Sequence, residues 1–92
     1  MSTLAQFAGS GIKSVQRGTI TINAGAASNT ATVTAVDTAK SVLSLLGWTA
    51  SANVSTSGPG RLALTNATTI TATRSGSPAD TAVYSYELVE YY

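Results

Sequence analysis

The chain has 92 residues, a net charge of +1, no cysteine and no histidine. Only nine residues are charged, 10% against a usual level of roughly 25%, whereas 15 Thr and 12 Ser place a small hydroxyl at 27 positions. These numbers exclude a disulfide scaffold and a thiolate metal site, leave no electrostatic footprint for nucleic acid and, with a mean hydropathy of +0.18, argue against a disordered chain. One domain is expected at this length. The longest near-apolar stretch, Val42 to Trp48, falls far short of a membrane span. The segment Met1 to Ala8 has neither a basic region nor a long apolar run, so no secretory signal is expected and synthesis is expected in the cytoplasm.

Residues 1–11 are expected to form an N-terminal arm ending in the flexible joint Gly9-Ser10-Gly11, with the domain proper over 12–92. Leu4, Phe7 and Ala8 have roughly helical spacing in a segment too short to hold a helix alone. The arm reads either as a frayed terminus or as a clip that docks Leu4 and Phe7 on a neighbouring subunit.

After Gly11 the pattern is strands and turns. Ile12 to Ile22 carries Val15, Ile20 and Ile22 among polar residues, and Gly18 within it suggests a bulge. Thr30 to Ala35 alternates hydroxyl and apolar residues without a fault, the signature of a half-buried strand. The two runs flank a loop and are expected to pair as a hairpin. Asp37 is placed to cap a single helical turn. Ser41 to Trp48 is apolar on both faces, Leu43 and Leu45 on one and Val42, Leu46 and Trp48 on the other, so it is expected to be central or to face a partner. Ala50 to Gly60 is a long loop. Arg61 to Thr65 turns Leu62 and Leu64 inward, Asn66-Ala67 makes a tight turn, and Thr68 to Arg74 turns Ile70 and Ala72 inward. After a turn at Gly76 to Asp80, Thr81 to Tyr92 is the last strand. The fold class is therefore all-β, an antiparallel sandwich of about six strands whose outer faces carry threonine.

No constellation assigns a chemistry. Ser10-Gly11-Ile12-Lys13 has the Ser-x-x-Lys spacing of a serine nucleophile but none of its companion motifs. Glycosidase chemistry needs two carboxylates about 5–9 Å apart across a cleft. Glu87 and Glu90, three apart on one strand, point to opposite faces, and Asp37 and Asp80 lie in turns where Asp is ordinarily structural. Two Asn-x-Ser/Thr sequons, at Asn53 and Asn66, are near chance in so hydroxyl-rich a chain. Gly9-x-Gly11 and Gly58-x-Gly60 lack the strand-to-helix context of a phosphate loop and read as turns. No catalytic, cofactor-binding or metal-ligating residue is assigned.

The aromatics carry more information. Tyr84, Tyr86, Tyr91 and Tyr92 crowd the last strand, and Trp48 stands apart. Each has an apolar body and a polar tip, a property favoured at protein interfaces and in sugar-binding platforms. The shared face of Tyr84, Tyr86 and Leu88 reads as core, as a subunit interface or as a glycan platform. Arg17, Arg61 and Arg74 either pair with Glu87 or Glu90 across strands or subunits, or are solvated edge charges.

Four stretches, 11–22, 34–43, 61–69 and 83–91, beginning Gly-Ile-Lys-Ser-Val-Gln-Arg-Gly-Thr-Ile-Thr-Ile and ending Val-Tyr-Ser-Tyr-Glu-Leu-Val-Glu-Tyr, together resemble a group of small tailed-bacteriophage and prophage proteins encoded among virion structural genes. The resemblance implies a non-enzymatic virion component: head decoration, collar, tail or fibre. It implies partners that are other copies of the chain, with a trimer favoured, and virion proteins such as the major capsid or tail proteins, without nucleic acid, membrane or cofactor. The strand count is also similar to the H-type lectin sandwich, which transfers no residue to a position here. The residues expected at contacts are Leu4, Phe7, Trp48, Tyr84, Tyr86, Tyr91 and Tyr92. The alternative is a carbohydrate-binding module of a phage adhesin, using Trp48, Tyr91 and Tyr92 with the Asn53–Gly60 loop.

Overall fold

A computed structural model of the chain describes residues 11–50, 60–75 and 80–92. The arm with Leu4 and Phe7, Ser10, the loop 51–59 with its sequon at Asn53, and the turn 76–79 lie outside the described residues. The rest is an antiparallel β-sandwich of two three-stranded sheets. Its strands are β1 (Ile12–Ile22), β2 (Ser28–Thr32), β3 (Ser41–Ala50), β4 (Gly60–Asn66), β5 (Thr69–Arg74) and β6 (Ala82–Tyr91). One sheet has the order β1-β6-β3 and the other β2-β5-β4.

Alternation sets what each central strand buries. Along β6, Ala82, Tyr84, Tyr86, Leu88 and Glu90 point inward, and along β5 Ile70, Ala72 and Arg74 do. Ile20 and Ile22 of β1 join them, with Leu43, Leu62, Leu64 and Ala31 packed around the margin. Fully burying one such large apolar side chain contributes about 1.5–3 kcal/mol. Between β2 and β3 the connector adds two more, Val33 and Val36. It is tied to the β4–β5 turn by Val33 N–H to Thr68 O (2.9 Å) and Val36 N–H to Ala67 O (3.0 Å). Asp37 then caps a 3₁₀ turn, Thr38–Lys40, its Oδ1 accepting from Ala39 N–H at 3.0 Å.

Several expectations are corrected by the pairing. The runs expected to form a hairpin belong to different sheets: β1 pairs β6, and β2, which ends at Thr32, pairs β5. The chain passes from one layer to the other between them, so their closeness in sequence reflects stacking. The turn after β4 is centred on Ala67 and Thr68, held by Asn66 Oδ1 accepting from Thr68 N–H at 2.9 Å. No bulge lies at Gly18, where the register runs unbroken from Ser14 to Ile22; the irregularity falls between Ile12 and Ser14. β3 is an edge strand, and a bulge between Leu45 and Gly47 moves Trp48 onto the face of Leu43 and Leu45, opposite Tyr84. Thr30, Thr32, Thr69, Thr71 and Thr73 do line the outer face of β2-β5-β4, but the other outer face is different and is described below.

Gly18 is explained by the ring opposite it. A Cβ at Gly18 would come within 2.6 Å of the Tyr86 hydroxyl oxygen and 2.8 Å of Cζ, so the ring lies on β1 where a side chain would stand. Gly60 serves Tyr84 in the same way across the sandwich: a Cβ there would meet Tyr84 Oη and Thr73 O, each at 2.7 Å. Gly18→Ala is expected to lower the unfolding free energy by about 1–3 kcal/mol, the ordinary cost of overpacking a core, with the far-UV spectrum retained. Urea unfolding measures it, and an unchanged midpoint would show that the Tyr86 ring has another place to go.

Candidate interaction surface

The sequence-predicted contact residues separate into three groups. Leu4 and Phe7 lie outside the described residues. Tyr84 and Tyr86 are core, 0% and 7% exposed, so the interface and glycan readings of that face are corrected: both side chains are buried inside the chain's own sandwich. Trp48, Tyr91 and Tyr92 are exposed but do not form one platform. Trp48 is paired with Tyr84, and Tyr91 follows Tyr84 by seven positions, about 23 Å at the rise of a strand. The two also sit on opposite faces of the sheet, because Tyr91 has the outward parity of β6. Trp48 and Tyr91 therefore do not share one platform, and residues 53–59 of the loop invoked with them lie outside the described residues.

What the structure does bring together is a row on the outer face of β1-β6-β3. The register sets Val15 opposite Val89 and Val89 opposite Val42, so three valines cross the sheet side by side. Ile12 and Tyr91, paired with each other, extend the row at the end of the sheet where Tyr92 N–H donates to Gly11 O at 3.0 Å. Val15, Val42, Ile12 and Tyr91 are all exposed. The next row is charged, Arg17 Nε donating to Glu87 Oε2 at 2.8 Å, which realises one of the expected cross-strand pairs. The remaining outward positions, Thr19, Ser85, Thr21 and Thr49, are hydroxyls with Val83 and Gly47 among them. The face thus grades from apolar at the Gly11 end to hydroxyl at the other. Missing this row from sequence is understandable, since Val15, Val42 and Val89 are far apart in the chain and only the three-strand register aligns them.

Two buried charges close the ends of the sandwich, and neither forms a reactive pair. Glu90 continues the inward parity of Tyr84, Tyr86 and Leu88, and lies with Lys13, Ser14, Gln16, Thr34 and Ala35 around a cleft of about 320 Å³. Its Oε2 accepts from Asp37 N–H at 2.8 Å and stands 3.9 Å from Lys13 Nζ, and its Oε1 accepts from Ser14 Oγ at 3.4 Å. Asp37 offers its backbone N–H there, while its own Oδ1 caps the 3₁₀ turn. The cleft therefore holds one carboxylate already occupied by donors. Among the described residues, no group of three or more His, Cys, Asp or Glu is placed to hold a metal ion.

At the opposite end Arg74 continues the parity of Ile70 and Ala72. Its guanidinium donates to Ala26 O (3.0 Å), Asn23 O (3.1 Å) and Asp80 O (2.6 Å), joining the β1–β2 loop to the start of β6. Arg74 and Glu90 were both legible in principle, because extending the two inward alternations by one step reaches them.

Burial pushes the Tyr84 phenol above its ordinary pKa of 10.0, and the Arg74 guanidinium offsets part of the rise. The folded state therefore prefers neutral Tyr84. Its contribution to stability is full below the unfolded value near 10 and is lost as pH climbs through the higher folded value. Between pH 8 and 11, urea unfolding of the wild type is expected to lose stability above pH 10 more steeply than Tyr84→Phe, and parallel pH profiles would count against this origin.

Comparison with protein-family models, characterised proteins and solved structures finds no match to this chain.

Proposed function

We propose that the chain is a non-enzymatic structural subunit of a tailed-bacteriophage virion, a decoration, collar, tail or fibre component that associates with copies of itself and with other virion proteins. The sequence resemblance supplies the virion, and a trimer is the assembly it favours. The apolar row Ile12, Val15, Val42, Val89 and Tyr91 is the observation that carries the association. It is a contiguous exposed patch on a small domain, and such patches characteristically mark sites of protein contact. Burying apolar area is worth about 25 cal/mol per Å², so a second surface laid on this row gains without displacing a charge. The arm leads out at Gly11, beside the paired Ile12 and Tyr91, and its Leu4 and Phe7 are the side chains proposed to reach a neighbour's row.

Deleting residues 1–10, and separately replacing Val15 by Lys, is expected to lower the molar mass measured by light scattering and to weaken decoration of virus particles. The β-sheet spectrum and the unfolding midpoint should be retained in both. Unchanged mass and unchanged decoration in both variants would overturn the reading.

A further inference from the structure

We propose that the free edge of β3 pairs antiparallel with the same edge of a second copy, joining two three-stranded sheets into one six-stranded sheet about a two-fold axis. Four strands end a sheet in this fold, and they are not equivalent. β1 is sealed: Gln16 donates from Nε2 to Thr34 O at 3.0 Å and accepts at Oε1 from Thr34 N–H at 2.8 Å, so its amide stands in for a strand partner. Asn29 Nδ2 adds a bond to Thr21 O at 2.8 Å, and Lys13 and Arg17 put cations on the strand. β2 has five residues and lies on that sealed side, and β4 carries Arg61.

β3 is the exception. It has ten residues, no charge and no proline. Among the described residues it pairs with β6 alone, and no hydrogen bond among them engages its other edge. Val42 and Leu46 are 52% and 55% exposed, with Leu45 and Trp48 exposed beside them. Around Gly47 the space is open, since a Cβ there would meet nothing within 4 Å. A long, apolar, uncharged edge is a template for strand addition, which soluble domains ordinarily block with Lys, Pro or a cover.

Charge identifies the occupant. An added strand bearing Lys or Arg would set a cation against an apolar strip with no carboxylate on β3 to receive it. A second β3 brings an equally uncharged strip. Antiparallel pairing of a strand with itself is isologous, so each patch meets its own copy and the contact closes after two subunits. Opposed side chains are then hydroxyls, aliphatics and Trp48, without the like-charge pairs that destabilise cross-strand neighbours. One edge strand offers less than the ~800 Å² per partner of a standard interface, so the pair forms in a concentration-dependent way. It shares Val42 with the outer-face row, but it needs neither residues 1–10 nor Val15.

Sedimentation equilibrium over a concentration series tests it on the full chain. Gly47→Lys has open space for its side chain and puts a cation on the uncharged strip of each copy. Like-charge juxtaposition costs several kcal/mol, so the edge contact should weaken by about tenfold or more, with the unfolding midpoint unchanged. Deleting residues 1–10 should leave edge-paired dimers, Gly47→Lys should leave the arm-dependent assembly, and the two together should give monomers. Because the chain lacks cysteine, single thiols at Val42, Ser44 and Leu46 in turn report the axis directly, and the one nearest it should form a disulfide-linked dimer. The proposal falls if Gly47→Lys associates as the wild type does, or if none of the three thiols links. If Gly47→Lys changes nothing while Val15→Lys or the deletion removes association, the outer-face reading stands and edge pairing falls.

Discussion

Two tyrosine rings need more room between the sheets than a pair of ordinary strands leaves, and two glycines supply it. Tyr86 folds sideways over Gly18 within its own sheet, and Tyr84 reaches across the sandwich to Gly60. Large aromatic side chains dominate the burial that a small domain can achieve, and here they stand next to each other on the inward side of β6. The other elements follow from that placement. β6 must be central, because both of its flanks are occupied: Gly18 and Ile20 lie opposite Tyr86 and Tyr84 on one side, Leu45 and Trp48 on the other. The second sheet meets Tyr84 at Gly60, and its inward face carries Ala31 and Ala72 beside Ile70, Leu62 and Leu64.

The ends of that core are closed by charge turned onto backbone. Arg74 binds three carbonyls at one end and Glu90 receives a backbone N–H and a hydroxyl at the other. A buried charge is tolerable when its hydrogen-bonding capacity is met, and a loop is tolerable in the interior when its polar groups are met as well. Each residue solves both problems together. The arrangement also explains why the β1–β2 loop and the β2–β3 connector can cross between layers near the core without a disulfide to hold them.

Local features of this fold were legible and nonlocal ones were not. Strand positions follow from alternation, which each segment displays by itself, as at Arg61 to Thr65 and Thr81 to Tyr92. The Asp37 cap is local too. The partner of a strand is a long-range property: β1 and β2 look like a hairpin because few residues separate them, yet what places them is which tyrosine or threonine each must face. A bulge is the hardest case. The run Leu43-Ser44-Leu45-Leu46-Gly47-Trp48 offers apolar residues to both faces, so one extra residue at Leu46 reverses the assignment of Trp48 without leaving a mark in the composition. The valine row on the outer face was hidden for the same reason, being assembled by register from three distant strands.

The scarcity of charge acquires a location once the strands are placed. Arg74 and Glu90 are buried, Arg17 is paired with Glu87, Lys13 stands beside Glu90, and Asp37 caps a turn. Few charges are left to guard the surface, and hydroxyls take over that task unequally. On the outer face of β2-β5-β4 they suffice, because a threonine face keeps its backbone paired within the sheet and offers water many small partners. At an edge a hydroxyl protects poorly: it neither repels an incoming strand, as Lys does, nor removes a donor, as Pro does. A hydroxyl-rich, charge-poor sequence can therefore build a well-solvated face more readily than a well-guarded edge. In this chain the long edge guarded by hydroxyls alone is β3, whose Ser41, Ser44 and Thr49 stand among apolar side chains on both faces.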